Sequence, residues 1–80
     1  MNLKQFCRLP EVHSFDSNNA KLLIEDLSTK SLEDIPLQHR KRVEDFLTNE
    51  LVHNSVEPGT IPSDLVLTLE SLLRELQEAA

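Results

Sequence analysis

Apolar and polar positions alternate most regularly at the carboxyl end, in "PSDLVLTLESLLRELQEAA". At 100° per residue, Leu65, Val66, Leu69, Leu72, Leu73 and Leu76 fall in one stripe roughly 120° wide, with Asp64, Thr68, Ser71, Arg74, Glu75 and Glu78 outside it. Ser63 is placed to cap the first turn, Asp64 sits at the positive end of the helix dipole, and no Gly or Pro interrupts the run. The pattern predicts an amphipathic helix over 63–80. Burying six such side chains gains roughly 1.5 to 3 kcal/mol each, but ordering the helix costs roughly 1 to 2 kcal/mol per residue, so the stripe must dock on other elements. Leu67 is the exception, projecting about 160° from the centre of the stripe toward solvent.

A second apolar face, Leu37, Val43, Phe46, Leu47 and Leu51, predicts a central helix that starts near Pro36, runs to about Val52 and gives way to a loop over 53–62. Upstream, "SLED" has the spacing of a capping box, so Ser31 opens a short helical turn that Pro36 interrupts or kinks. A third helix is predicted from Asp16 or Ser17 to Leu27, with Ala20, Leu23, Ile24 and Leu27 on one face and Leu22 pointing away from it. At the amino end, Leu3, Phe6 and Cys7 have helical spacing with Asn2 as cap, and Pro10 stops the turn. Phe15 is expected to lie over the bundle as a lid, with Phe6 as a second aromatic plug.

The expected architecture is a single helical domain over 1–80. A short leading helix and loop (1–15) precede two helices with a kinked connection (16–52), the loop and the C-terminal helix. One glycine, no Tyr and no Trp leave little material for turns and strands, and no repeat is present, so the fold class is all-α, a small three- to four-helix bundle.

Length and charge sharpen this picture. An 80-residue chain buries only about 60% of the surface its unfolded form exposes, so a partner chain would add stability. The net charge of -6 is uneven: residues 1–30 carry four cationic and four acidic groups, residues 31–57 three and six, and residues 58–80 one and four. Such a field disfavours nucleic acid and anionic lipid and favours encounter with basic protein surfaces. Cys7, the single cysteine, allows no internal disulfide or cysteine-rich zinc site. With neither a membrane span nor the apolar core of a secretory signal in "MNLKQFCRLPEV", a cytoplasmic or nuclear setting is expected.

The one basic run, "HRKR" at 39–42, opens a helix, where cations meet the unfavourable end of the dipole. Pairs Arg40 with Glu44 and Lys41 with Asp45 at i,i+4 compensate in part. Helix 17–27, the break "STK" and the next segment loosely suggest a helix-turn-helix with Lys30, Arg40, Lys41 and Arg42 near phosphates. Successive helical residues point in different directions, however, so the run forms no continuous basic stripe.

Catalytic signals are weaker. His13, His39 and His53 lack the i,i+4 pairing of a metal site, and no metalloprotease, phosphate-loop or nucleophile-elbow motif occurs. His13 with Asp16 makes only a two-ligand cation site, and Cys7 with His13 lacks a third orienting group. Neither an enzyme, a metal nor a cofactor is expected. Glu50 falls within the apolar arc of the central helix and must either reach water or find a cation such as Arg40.

The reading that results is a small acidic helical module that binds another protein as a regulator, adaptor or inhibitor. Leu22, Leu67, Glu70, Glu75, Glu78, Arg40, Lys41 and Arg42 are its candidate contacts, and self-association through the C-terminal helix is its first version. The alternatives are a nucleic-acid-binding regulator using residues 39–42, or an acidic mimic of nucleic acid.

Overall fold

Asn2 caps a short first helix, α1 (Leu3–Cys7), by accepting from the Gln5 amide at 2.9 Å while Gln5 Oε1 accepts from the Asn2 amide at 3.0 Å. The computed structural model describes residues 2–8 and 17–79, and the expectations for Pro10, His13, Phe15 and Asp16 lie outside them. Beyond α1 come α2 (Ser17–Leu27), two single 3₁₀ turns at Leu32–Asp34 and Leu37–His39, then α3 (Arg40–Val56) and α4 (Ser63–Ala79). No strand occurs among the described residues. The fold is an all-α bundle.

Hydroxyls finish α2. Ser28 Oγ donates to Glu25 O at 2.6 Å and Thr29 Oγ1 to Asp26 O at 2.7 Å, satisfying carbonyls that have no partner within the helix. Asp34 then holds the next turn in place, its carboxylate accepting both the amide (2.9 Å) and the hydroxyl (3.1 Å) of Ser31.

The central helix begins and ends later than its periodicity predicts. Pro36 is extended at φ -55, ψ 138, and His39 donates its amide to Pro36 O at 2.9 Å, so Leu37–His39 closes as a tighter 3₁₀ turn and α3 starts at Arg40. The altered twist moves Leu37 off the apolar stripe and leaves it 76% exposed, not part of the core face. At the other end, residues 53–56 are helical rather than loop, because nothing between Val52 and Pro58 breaks a helix. Gly59, at φ +102, supplies the left-handed turn after α3, and Asn54 Oδ1 fastens the connection by accepting from Ile61 N at 3.0 Å.

The core is one cluster. Leu69, Leu72 and Leu76 of α4 pack with Leu23, Ile24 and Leu27 of α2, Val43, Phe46 and Leu47 of α3, and Leu3 and Phe6 of α1. Leu65, Val66 and Leu73 close its edge. Ile35 and Ile61, each from a connecting segment, are 1% and 2% exposed and complete it. The largest helix contact is α4 on α3; α4 also packs on α2 and on the first 3₁₀ turn, and α1 packs on α2. Residues from the start of α3 and the end of α4 line one cleft, so the two helices run antiparallel.

Candidate partner-binding surface

The basic run at 39–42 divides by direction, as consecutive residues on a helix must. Arg40 turns back along the chain: Nε donates to Ile35 O at 3.1 Å and Nη2 to Leu32 O at 3.2 Å. The guanidinium thereby staples the first 3₁₀ turn to the start of α3, in place of the expected pair with Glu44 and of any pairing with Glu50. Arg42 turns to α1, its guanidinium carbon 5.0 Å from the centre of the Phe6 ring and Nη2 donating to Phe6 O at 3.4 Å. Phe6 in turn packs on Phe46, ring centroids 5.8 Å apart at 52°. Two elements distant in sequence are joined by a cation stacked on an aromatic pair.

Lys41 faces water. It pairs with Asp45 at 3.2 Å and Glu44 at 3.8 Å, and those carboxylates, Asp45 above all, raise its pKa. His39 Nδ1 is buried without a hydrogen-bond partner among the described residues, while Nε2 lies 3.4 Å from the Gln38 amide nitrogen.

Leu22 and Leu67 are 43% and 73% exposed. Leu22 sits in an open depression of about 420 Å³ shared with Asn2, Gln5, Glu25, Asp26 and Thr29. Leu67 does not line it. Asp26 is fixed in this rim, since Oδ2 accepts the Leu3 amide at 2.7 Å and Oδ1 lies 3.8 Å from Lys30 Nζ. Glu25 is exposed. The depression thus offers a partly covered leucine beside one exposed carboxylate, Glu25, and one engaged carboxylate, Asp26, with the side chains of Asn2 and Gln5 also lining it.

Glu70, Glu75 and Glu78 are exposed along α4, as is Leu67. Near the end of this helix a smaller cleft of about 180 Å³ is lined by Leu37, Arg40, Lys41, Glu44, Leu76 and Ala79. Sequence reasoning missed Leu37 as a surface residue. It missed Val52 and Val56 too, which are 58% and 74% exposed and one helical turn apart on α3. The available signal was the wheel of α3, on which Val52 projects about 180° from the core residue Val43 and Val56 lies near Val52.

The remaining candidates for chemistry are quiet. Glu50 is half-buried, and burial raises its carboxyl pKa against the opposing pull of His53. Cys7 is half-buried, and desolvation outweighs the Arg42 charge to push its thiol pKa up. A thiol held protonated is a poor nucleophile. Among the described residues no three His, Cys, Asp or Glu side chains gather as a metal site, and no helix is long and apolar enough to cross a membrane. Comparison of the chain with protein-family models, curated proteins and solved structures returns no match.

Proposed function

We propose that this chain is a protein-protein interaction module, a regulator, adaptor or inhibitor without catalytic chemistry, that takes a partner segment at Leu22. The observation that carries the reading is the Leu22 depression itself. An apolar side chain one turn from the exposed carboxylate of Glu25, with Asp26 already held by the Leu3 amide and Lys30, suits a segment that presents an apolar residue beside a lysine or arginine, and the net charge of -6 speeds encounter with such a segment. The single cysteine agrees with work in a reducing compartment.

Affinity capture from native extract at moderate salt tests the proposal, using the wild-type chain beside Leu22→Arg and Glu25→Gln. A partner that Leu22→Arg loses and Glu25→Gln holds more weakly, with circular dichroism unchanged, supports it. Equal capture by all three chains refutes it.

Self-association through α4 is a second reading, favoured by the 73% exposure of Leu67. A monomeric sedimentation profile across micromolar concentrations removes it. Nucleic-acid binding through residues 39–42 draws less support, because Arg40 and Arg42 already engage backbone carbonyls and the Phe6 ring.

A further inference from the structure

Of the serines and threonines along the chain, Ser31 alone is followed by carboxylates at both the second and third positions, Glu33 and Asp34. These three side chains lie at the surface of a closed turn. Ser31, Glu33 and Asp34 are all exposed; Ser31 has extended backbone at φ -110, ψ 172, and the two acidic residues follow it on the 3₁₀ turn, so the enzyme receives the carboxylates on a turn at the surface. Its hydroxyl is not sequestered in the core; it donates to the Asp34 carboxylate at 3.1 Å. That carboxylate is held below its usual pKa, first by the Ser31 amide and then by the hydroxyl, with desolvation opposing and Lys30 adding to the pull, so it is ionised at neutral pH.

From this placement we propose that Ser31 is a phosphorylation site for an acid-directed serine kinase using ATP, and that the phosphoryl group opens the turn at Leu32–Asp34. In the transfer, the Ser31 oxygen forms a bond to the γ-phosphorus while the bond from that phosphorus to the β,γ-bridging oxygen breaks. ADP leaves with the electron pair, and the hydroxyl proton passes to a carboxylate base of the kinase. The product loses the O–H that Asp34 accepts and sets a near-dianion beside an ionised carboxylate. A three-residue 3₁₀ turn has too short a dipole to offset that repulsion, so the Ser31 to Asp34 clasp is released.

The test uses the full chain, ATP and a kinase selective for carboxylates at these two positions, with a peptide of residues 26–38 as positive control and tandem mass spectrometry to locate the product. The expected result is one phosphoryl group on Ser31 of the folded chain. Incorporation should vanish in Ser31→Ala and fall at least about tenfold in Glu33→Gln, whose exposed carboxylate leaves the turn's hydrogen bonds untouched. The phosphorylated chain should melt about 4 °C lower than the unmodified one. Modification of the peptide but not of the folded chain, or equal incorporation in Ser31→Ala, overturns the site. An unchanged melting temperature overturns the opening of the turn.

Discussion

Replacing Arg40, Lys41 and Arg42 by alanine one at a time separates three side chains that look interchangeable in sequence. Arg40→Ala removes two charged hydrogen bonds to the carbonyls of Ile35 and Leu32, at 3.1 and 3.2 Å. Charged hydrogen bonds contribute roughly 1.5 to 3 kcal/mol when buried, and Arg40 is only half-buried, so the loss should be about 2 kcal/mol for the pair. Arg42→Ala removes the contact with the Phe6 ring, worth about 0.5 to 1 kcal/mol. It also removes a bond to Phe6 O that, at 3.4 Å, is too long to add much, giving about 1 kcal/mol in all. Lys41→Ala should change nothing measurable, because its ion pairs are in water. With neither Trp nor Tyr in the chain, urea unfolding followed by far-ultraviolet circular dichroism is the suitable assay. With a slope of about 1 kcal/mol per molar, the midpoint should fall by about 2 M for Arg40→Ala and about 1 M for Arg42→Ala. Arg40→Lys should recover less than half of the loss, since a single ammonium cannot reproduce the guanidinium fork. Equal shifts for all three alanine variants, or none for Arg40→Ala, would refute the assignment of the arginines to holding the fold.

Two further outcomes follow from the core and from Glu50. Leu69, fully buried on α4, should cost about 3 kcal/mol as Leu69→Ala, a large share of the stability of so small a domain; a melting temperature within a few degrees of wild type would contradict the central position of α4. Burial raises the Glu50 pKa in the folded state, so the folded chain binds this proton more tightly than the unfolded chain, and ionisation of Glu50 opposes folding. Glu50→Gln should therefore raise the melting temperature at neutral pH, with the gain disappearing as the pH falls below the usual carboxyl range near about 4. Melts across that range check it, and a gain that grows toward acid would be the wrong sign. Asp34 has the opposite linkage: its depressed pKa means its support is present at neutral pH and fades as the pH falls through the acid range.

What was legible in the sequence was whatever repeats. The stripe of α4 and the Ala20, Leu23, Ile24 and Leu27 face of α2 could be read directly, since several apolar residues at helical spacing average out local noise, and the outward directions of Leu22 and Leu67 followed from the same wheels. Ile35 and Ile61 were not legible. A single apolar residue in a connecting segment has no period, and its burial depends on where the adjoining helices carry it. Helical periodicity places Leu37 on the core face only if Pro36 opens an α-helical turn, whereas the chain there closes i to i+3. The directions of Arg40 and Arg42 were hidden for another reason: Arg42 meets Phe6, 36 residues away. The surroundings of Leu22 were equally hidden, because Asn2 and Gln5 come to it from a different helix.

The placement of α4 against several other elements has a mechanical corollary. Because this one rod meets α3, α2 and the first 3₁₀ turn and gives Leu69, Leu72 and Leu76 to the shared cluster, tension that peels it away opens the interior on several sides at once. A competitor that pries the rod loose would dismantle its surroundings instead of merely uncovering them.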